Sequence, residues 1–131
     1  MTTVKYLSED FFRELERRAA DQPERPGTDL NVQYVVHDHP EADRWPYYFR
    51  IRRGRIVEAR VGEVEEPSFT ITASYPDSVK LQQGKLHPAT GFMTGRLKVT
   101  GDRAKLLRLM PVFQSRAYQA VIEDLRAISV Y

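Results

Sequence analysis

The sequence contains no cysteine. That absence removes disulfide staples, thiol nucleophiles and thiolate metal sites together, and it fits a reducing compartment. Long apolar runs are also missing: nothing approaches the roughly 18–20 consecutive apolar residues that a membrane-spanning helix needs. The opening stretch Met1-Thr2-Thr3-Val4-Lys5-Tyr6-Leu7-Ser8 has no basic segment leading into an apolar core of the kind a secretory leader carries. The closing Ser129-Val130-Tyr131 is not the Ser-Lys-Leu peroxisomal address. The expectation is a cytoplasmic protein. Charge of one sign is scarce as well, with 20 basic against 18 acidic residues and a net charge of +2, so there is no basic field to recruit nucleic acid.

Catalytic and cofactor patterns are equally sparse. The glycines match neither the Walker loop nor the dinucleotide fingerprint, and no Gly-x-Ser-x-Gly elbow presents a serine nucleophile. The carboxylate pairs Glu65-Glu66 and Glu123-Asp124 are adjacent in sequence, and adjacent side chains do not converge on one reacting atom. No cofactor is expected, and the chain is not expected to be an enzyme.

What is present is an ordinary globular composition, 131 residues with 41% hydrophobic and 29% charged side chains, which predicts a single domain over residues 1–131. Leu7, Phe11, Phe12, Leu15 and Ala19 recur at helical spacing behind a capping Ser8, predicting a helix over 8–20. Pro23, Pro26 and Gly27 end it. Leu30, Val32, Tyr34 and Val36 alternate as a strand, which the polar stretch His37 to Asp43 should terminate. Tyr47, Phe49 and Ile51 mark a second strand, Arg53-Gly54 a tight hairpin turn, and Val57, Ala59 and Val61 a third strand. Phe69, Ile71 and Ala73 make a fourth. A short helix from Pro76 to Gly84 follows, then a strand over 96–100 bracketed by Gly95 and Gly101. Beyond the N-cap Asp102, Leu106, Leu109, Met110, Phe113, Ala117, Val121, Leu125 and Ile128 advance by threes and fours, with Pro111 expected to split or kink the run into two helices. The order predicts an α+β fold with helices against a mainly antiparallel sheet of about five strands.

The segments Phe69-Thr-Ile-Thr72, Val79-Lys-Leu-Gln-Gln-Gly-Lys-Leu-His-Pro88 and Gly91-Phe-Met-Thr-Gly-Arg-Leu-Lys-Val-Thr-Gly-Asp102 resemble the central pattern of the sterol carrier protein type 2 family. That pattern has a strand, a short helix, Gly-Lys-Leu-x-Pro, an aromatic, then Gly-Arg-Leu-x-Val-x-Gly-Asp. The resemblance implies a sterol-carrier-like fold whose sheet and covering helices enclose an apolar cavity for a fatty acyl chain, a sterol or another lipid-like molecule. In the matching region Leu81, Leu86, Phe92, Met93, Leu97, Val99, Leu107, Met110 and Phe113 are the residues that could line it, and plain core packing is the rival reading for each. Met93 and Met110 stand out, since flexible thioethers adapt to variable ligand shapes.

Two further groupings are weighed against simpler accounts. His37, His39, Glu41 and Asp43 have metal-ligand chemistry, and in an extended chain the two histidines share a side. A site needs three or four convergent ligands, however, and no metal is expected. Arg50, Arg52, Arg53 and Arg55 interleave with aromatics as the solvated face of a hairpin, which could touch an anionic membrane surface transiently rather than nucleic acid. The functional expectation is non-catalytic binding or transfer of an apolar ligand. The alternatives are an accessory component that presents substrate to a partner enzyme and, in third place, a small enzyme using the cavity with Tyr or His as its acid or base.

Overall fold

In the computed structural model, which describes residues 3–131, a two-residue strand β1 (Val4–Lys5) pairs in parallel with the last strand, β7 (Ser129–Val130). This clasp was not legible in the sequence; Met1 and Thr2 of the opening stretch lie outside the described residues. Helix α1 (Glu9–Ala19) forms where the periodicity places it. The Ser8 hydroxyl accepts from the Phe11 N–H, acidic residues fill the first turn and arginines the last, and Phe11, Phe12, Leu15 and Ala19 form the buried stripe.

The main sheet comprises β2 (Leu30–His39), β3 (Ala42–Arg52), β4 (Arg55–Val61), β5 (Phe69–Ser74) and β6 (Lys98–Gly101), in the spatial order β4-β3-β2-β5-β6. Every neighbouring pair is antiparallel except β2 with β5. The turn between β3 and β4 is held by Arg53 and Gly54 at φ of 52° and 76°, the positive values that match a hairpin's twist. The strand pairing puts Val32, Tyr34 and Val36 opposite Phe49, Tyr47 and Trp45 on one side and Phe69, Ile71 and Ala73 on the other, which gathers the apolar alternation on one sheet face.

Gln33, on the opposite face, explains how β5 reaches its place beside β2. Its buried amide donates to the Tyr47 and Gly62 carbonyls at 2.9 and 3.1 Å and accepts from the Val64 N–H at 2.8 Å. One side chain thereby satisfies the backbone of the connection that crosses from β4 to β5.

The polar stretch after Val36 does not end the strand. Pairing continues through His39, opposite Ala42, because His39 is buried, stacks on Trp45 with ring centroids 4.2 Å apart and accepts the Glu41 N–H. A histidine with an aromatic partner behaves here as a core residue.

Helix α2 (Tyr75–Gln82), capped by Ser74, leads through Gly84 to α3 (Pro88–Met93), capped by His87. Helix α3 falls between the short helix and the strand that the spacing marks. The strand expected over 96–100 starts two residues later and ends one later, at Lys98–Gly101, with Gly101 so close to β5 that a Cβ there would lie 2.8 Å from the Phe69 Cα. Asp102 caps α4 (Arg103–Phe113) as expected, through the Ala104 and Lys105 N–H groups. Pro111 does not split the last stretch: it sits inside α4, and the break falls at Gln114–Ser115, where Ser115 caps α5 (Arg116–Ile128). Proline removes one helical bond, to the Leu107 carbonyl, and both residues lie on the exposed side of the helix. Among the described residues no helix is long and apolar enough to cross a membrane.

Candidate functional site

The apolar face of the sheet is not uniformly filled. Towards the β2–β5 side its residues Tyr34, Val36, Tyr47, Phe49, Ile71 and Ala73 form the floor of a cavity of about 530 Å³. Helix α1 supplies one wall with Phe11, Phe12 and Leu15; Leu81, Leu86, Phe92 and Leu97 supply another; and Leu106, Met110, Phe113, Tyr118 and Ile122 of α4 and α5 cover it. The mouth lies between the α2–α3 connection and the two last helices, because the exposed lining residues are Gly84, His87 and Pro88 on one side and Gln114 and Gln119 on the other.

Of the nine residues singled out by sequence, Leu81, Leu86, Phe92, Leu97, Met110 and Phe113 face this space. Val99 packs half-buried against the core without lining the cavity. Met93 and Leu107 point to solvent, 88% and 71% exposed. In α4 the inward stripe is Leu106, Leu109, Met110 and Phe113, and Leu107 lies off it by helical geometry. Sequence reasoning missed the aromatic floor and the α1 wall. The available signal was an alternation that put tyrosine, a residue with a polar end, on core-facing strand positions 34 and 47.

Those tyrosines give the cavity its polar content. The Tyr6 hydroxyl bonds the Ser78 hydroxyl at 2.7 Å and donates to the Ser78 carbonyl at 3.1 Å. The Tyr34 and Tyr47 rings stack at 4.7 Å, and Tyr118 packs on Phe113 at 4.7 Å. Burial pushes the phenols of Tyr6, Tyr34, Tyr47 and Tyr118 well up, so all four are neutral at ordinary pH. Nearer the mouth, Arg126 donates through Nε to the Gln82 carbonyl at 2.9 Å, and the Gln82 side-chain nitrogen, on a residue only 7% exposed, has no hydrogen-bond partner.

The other groupings stay apart from the cavity. Among the described residues no cluster of three or more histidine, aspartate or glutamate side chains is placed to hold a metal ion. His39 is committed to Trp45, whereas His37 is exposed beside Asp38. Of the four arginines, Arg50 pairs with Glu58 at 3.0 Å, Arg53 and Arg55 share Glu24, and Arg52 bonds Asn31. None lines the cavity.

Comparison with known proteins agrees with this architecture. No curated protein sequence matches the chain. A crystal structure of sterol carrier protein 2 superposes with a TM-score of 0.69 at 18% identity, over 95% of this chain and 99% of that one. The solution structure of palmitated sterol carrier protein 2 like 2 from Aedes aegypti gives 0.63 at 16% identity, over 82% and 94%. The stereoselective inverting sec-alkylsulfatase Pisa1 from Pseudomonas sp. gives 0.55 at 21% identity, over 82% of this chain but only 16% of the enzyme. These likenesses establish the α+β fold. The model of the SCP-2 sterol transfer family matches residues 12–114, from the middle of α1 to the end of α4, and the chain belongs to that family.

Proposed function

We propose that this protein binds an apolar ligand, a fatty acyl chain, a sterol or another lipid-like molecule, in the cavity beneath α4 and α5, and carries it without transforming it. The observation that carries this reading is the cavity itself. Its roughly 530 Å³ falls in the range of small-molecule sites, about 300–1,000 Å³, and is several times the engineered cavity of about 150 Å³ that admits benzene. Each methylene moved from water into such a space contributes about 0.8 kcal/mol, so a chain of a dozen methylenes brings about 10 kcal/mol before ordering costs. Leu81, Leu86, Phe92, Leu97, Met110 and Phe113 are the ligand-contacting side chains of the proposal.

The sulfatase likeness favours a second reading, in which such a domain serves as accessory or substrate-presenting part of an enzyme system. Contact with an anionic membrane through Arg50, Arg52, Arg53 and Arg55 is a lesser part of the proposal, because three of the four already lie beside Glu58 or Glu24. Native mass spectrometry of the purified protein with lipid extraction tests the carrier reading. Stoichiometric copurified lipid, or saturable binding of a fluorescent fatty acid, supports it; a protein that binds neither sterol nor acyl probe refutes it.

A further inference from the structure

The cavity is apolar at its walls and carries one cluster of hydroxyls. Tyr34 and Tyr47 stand on the sheet floor, Tyr6 on the segment before α1 and Tyr118 on α5; these and Ser78 all line the same space. Tyr6 is satisfied by Ser78, and Tyr47 lies beside the same hydroxyl. For the hydroxyls of Tyr34 and Tyr118 the described residues offer no hydrogen-bond partner. Both residues retain accessible surface although protein encloses them, and that surface belongs to the cavity they line. Both hydroxyls therefore open on the cavity, where they are free to meet a polar guest. No charge of either sign accompanies these groups. The phenols are raised by burial and by one another, and no lysine or arginine lies near enough to draw any of the four down. The lining cation, Arg126, is held at Gln82, on the mouth side.

Resting on the carrier reading above, we propose that the ligand is an uncharged long-chain amphiphile, whose hydroxyl or carbonyl oxygen docks between Tyr34, Tyr118 and the Tyr6–Ser78 pair. Phenols and a serine can both donate to and accept from such an oxygen. An ionised carboxylate or phosphate brought to the same place would lose its hydration without gaining a cation, which costs several kcal/mol. A carboxylate could be met only at Arg126, away from the hydroxyl cluster.

The test uses the whole chain at neutral pH with diphenylhexatriene, a fluorescent hydrocarbon lacking oxygen, as the reporter. Dodecanol and dodecanoate are titrated as competitors against the parent, Tyr34→Phe and Tyr118→Phe. The expected result is displacement by dodecanol at a concentration at least about tenfold lower than by dodecanoate, the equivalent of one good hydrogen bond. Each phenylalanine variant is expected to weaken dodecanol, relative to its own hydrocarbon affinity, by about five- to tenfold against the parent, and a circular-dichroism melt shows that the variant is folded. Equal or stronger competition by dodecanoate, or dodecanol affinity unchanged in both variants, overturns this inference and leaves the carrier reading standing. Failure of the parent to bind the hydrocarbon, dodecanol or dodecanoate overturns the carrier reading and this inference with it.

Discussion

One sheet face does two different things along its width. At the β3–β4 side, Ile51, Ile56 and Ala59 share the core with Ala19 of α1, with almost no accessible surface left. At the β2–β5 side, Tyr34 and Ile71 look across open space to Met110, Phe113, Tyr118 and Ile122. The difference lies in the covering elements. Helix α1 is a continuous amphipathic stripe laid flat on the sheet, whereas the other cover is assembled from short helices and the ends of two longer ones, which arch over the strands. A core that must only be stable is filled; a core that must admit a guest gives up packing and keeps adaptable side chains over the gap.

Truncation at the filled side should produce the largest effect. Ile51→Ala removes a side chain that is 0% exposed and is expected to cost about 2–5 kcal/mol, measured by urea denaturation. Phe113→Ala, which borders space that is already empty, is expected to cost clearly less. Equal losses at the two positions would erase the contrast.

Alkaline pH should act on the hollow side next. An acid whose folded pKa is raised stabilises the fold fully below its unfolded value, near 10 for tyrosine, and that stability is lost as pH climbs. Above about pH 10 the unfolded chain releases phenolic protons that the folded state keeps, at about 1.4 kcal/mol per pH unit for each enclosed phenol. Tyr34→Phe and Tyr118→Phe should each flatten the slope of stability against pH in that region; an unchanged slope would mean that these phenols reach water.

The smallest effect is expected at His39, whose pKa is lowered mainly by burial against Trp45. Its neutral form belongs to the fold, so stability should decline modestly as pH falls below about 6.5, the unfolded value. His39→Gln should remove that decline, and calorimetry across the acid range checks it.

The filled region was largely readable from sequence. Period-two and helical spacings identify Leu30, Val32, Ile51, Ala59 and Ala19 because burial on one face is all they express. The hollow region was readable only through the family pattern around Gly84 and Gly101, and only in part. Leu107 and Met93 have the composition of lining residues but lie outside it, since helix phase decides where a side chain points and a short motif does not fix that phase. Tyr34 and Tyr47 were visible as strand residues, yet nothing local tells a tyrosine that fills a core from one that faces a void. The extension of β2 to His39 was hidden for a related reason: histidine counts as polar until Trp45, six residues on in the chain, is stacked against it.

Met110 offers the most direct test of whether the space is empty. It lies half-buried on α4, in the cavity lining. Met110→Trp places added volume in the cavity, so the melting temperature should stay close to the parent's while binding of a fluorescent fatty acid is reduced or lost. In a filled core the same change overpacks and costs about 1–3 kcal/mol. Thermal melts paired with ligand titrations separate the two: clear destabilisation of Met110→Trp, together with no measurable ligand binding by the parent protein, would contradict the carrier account.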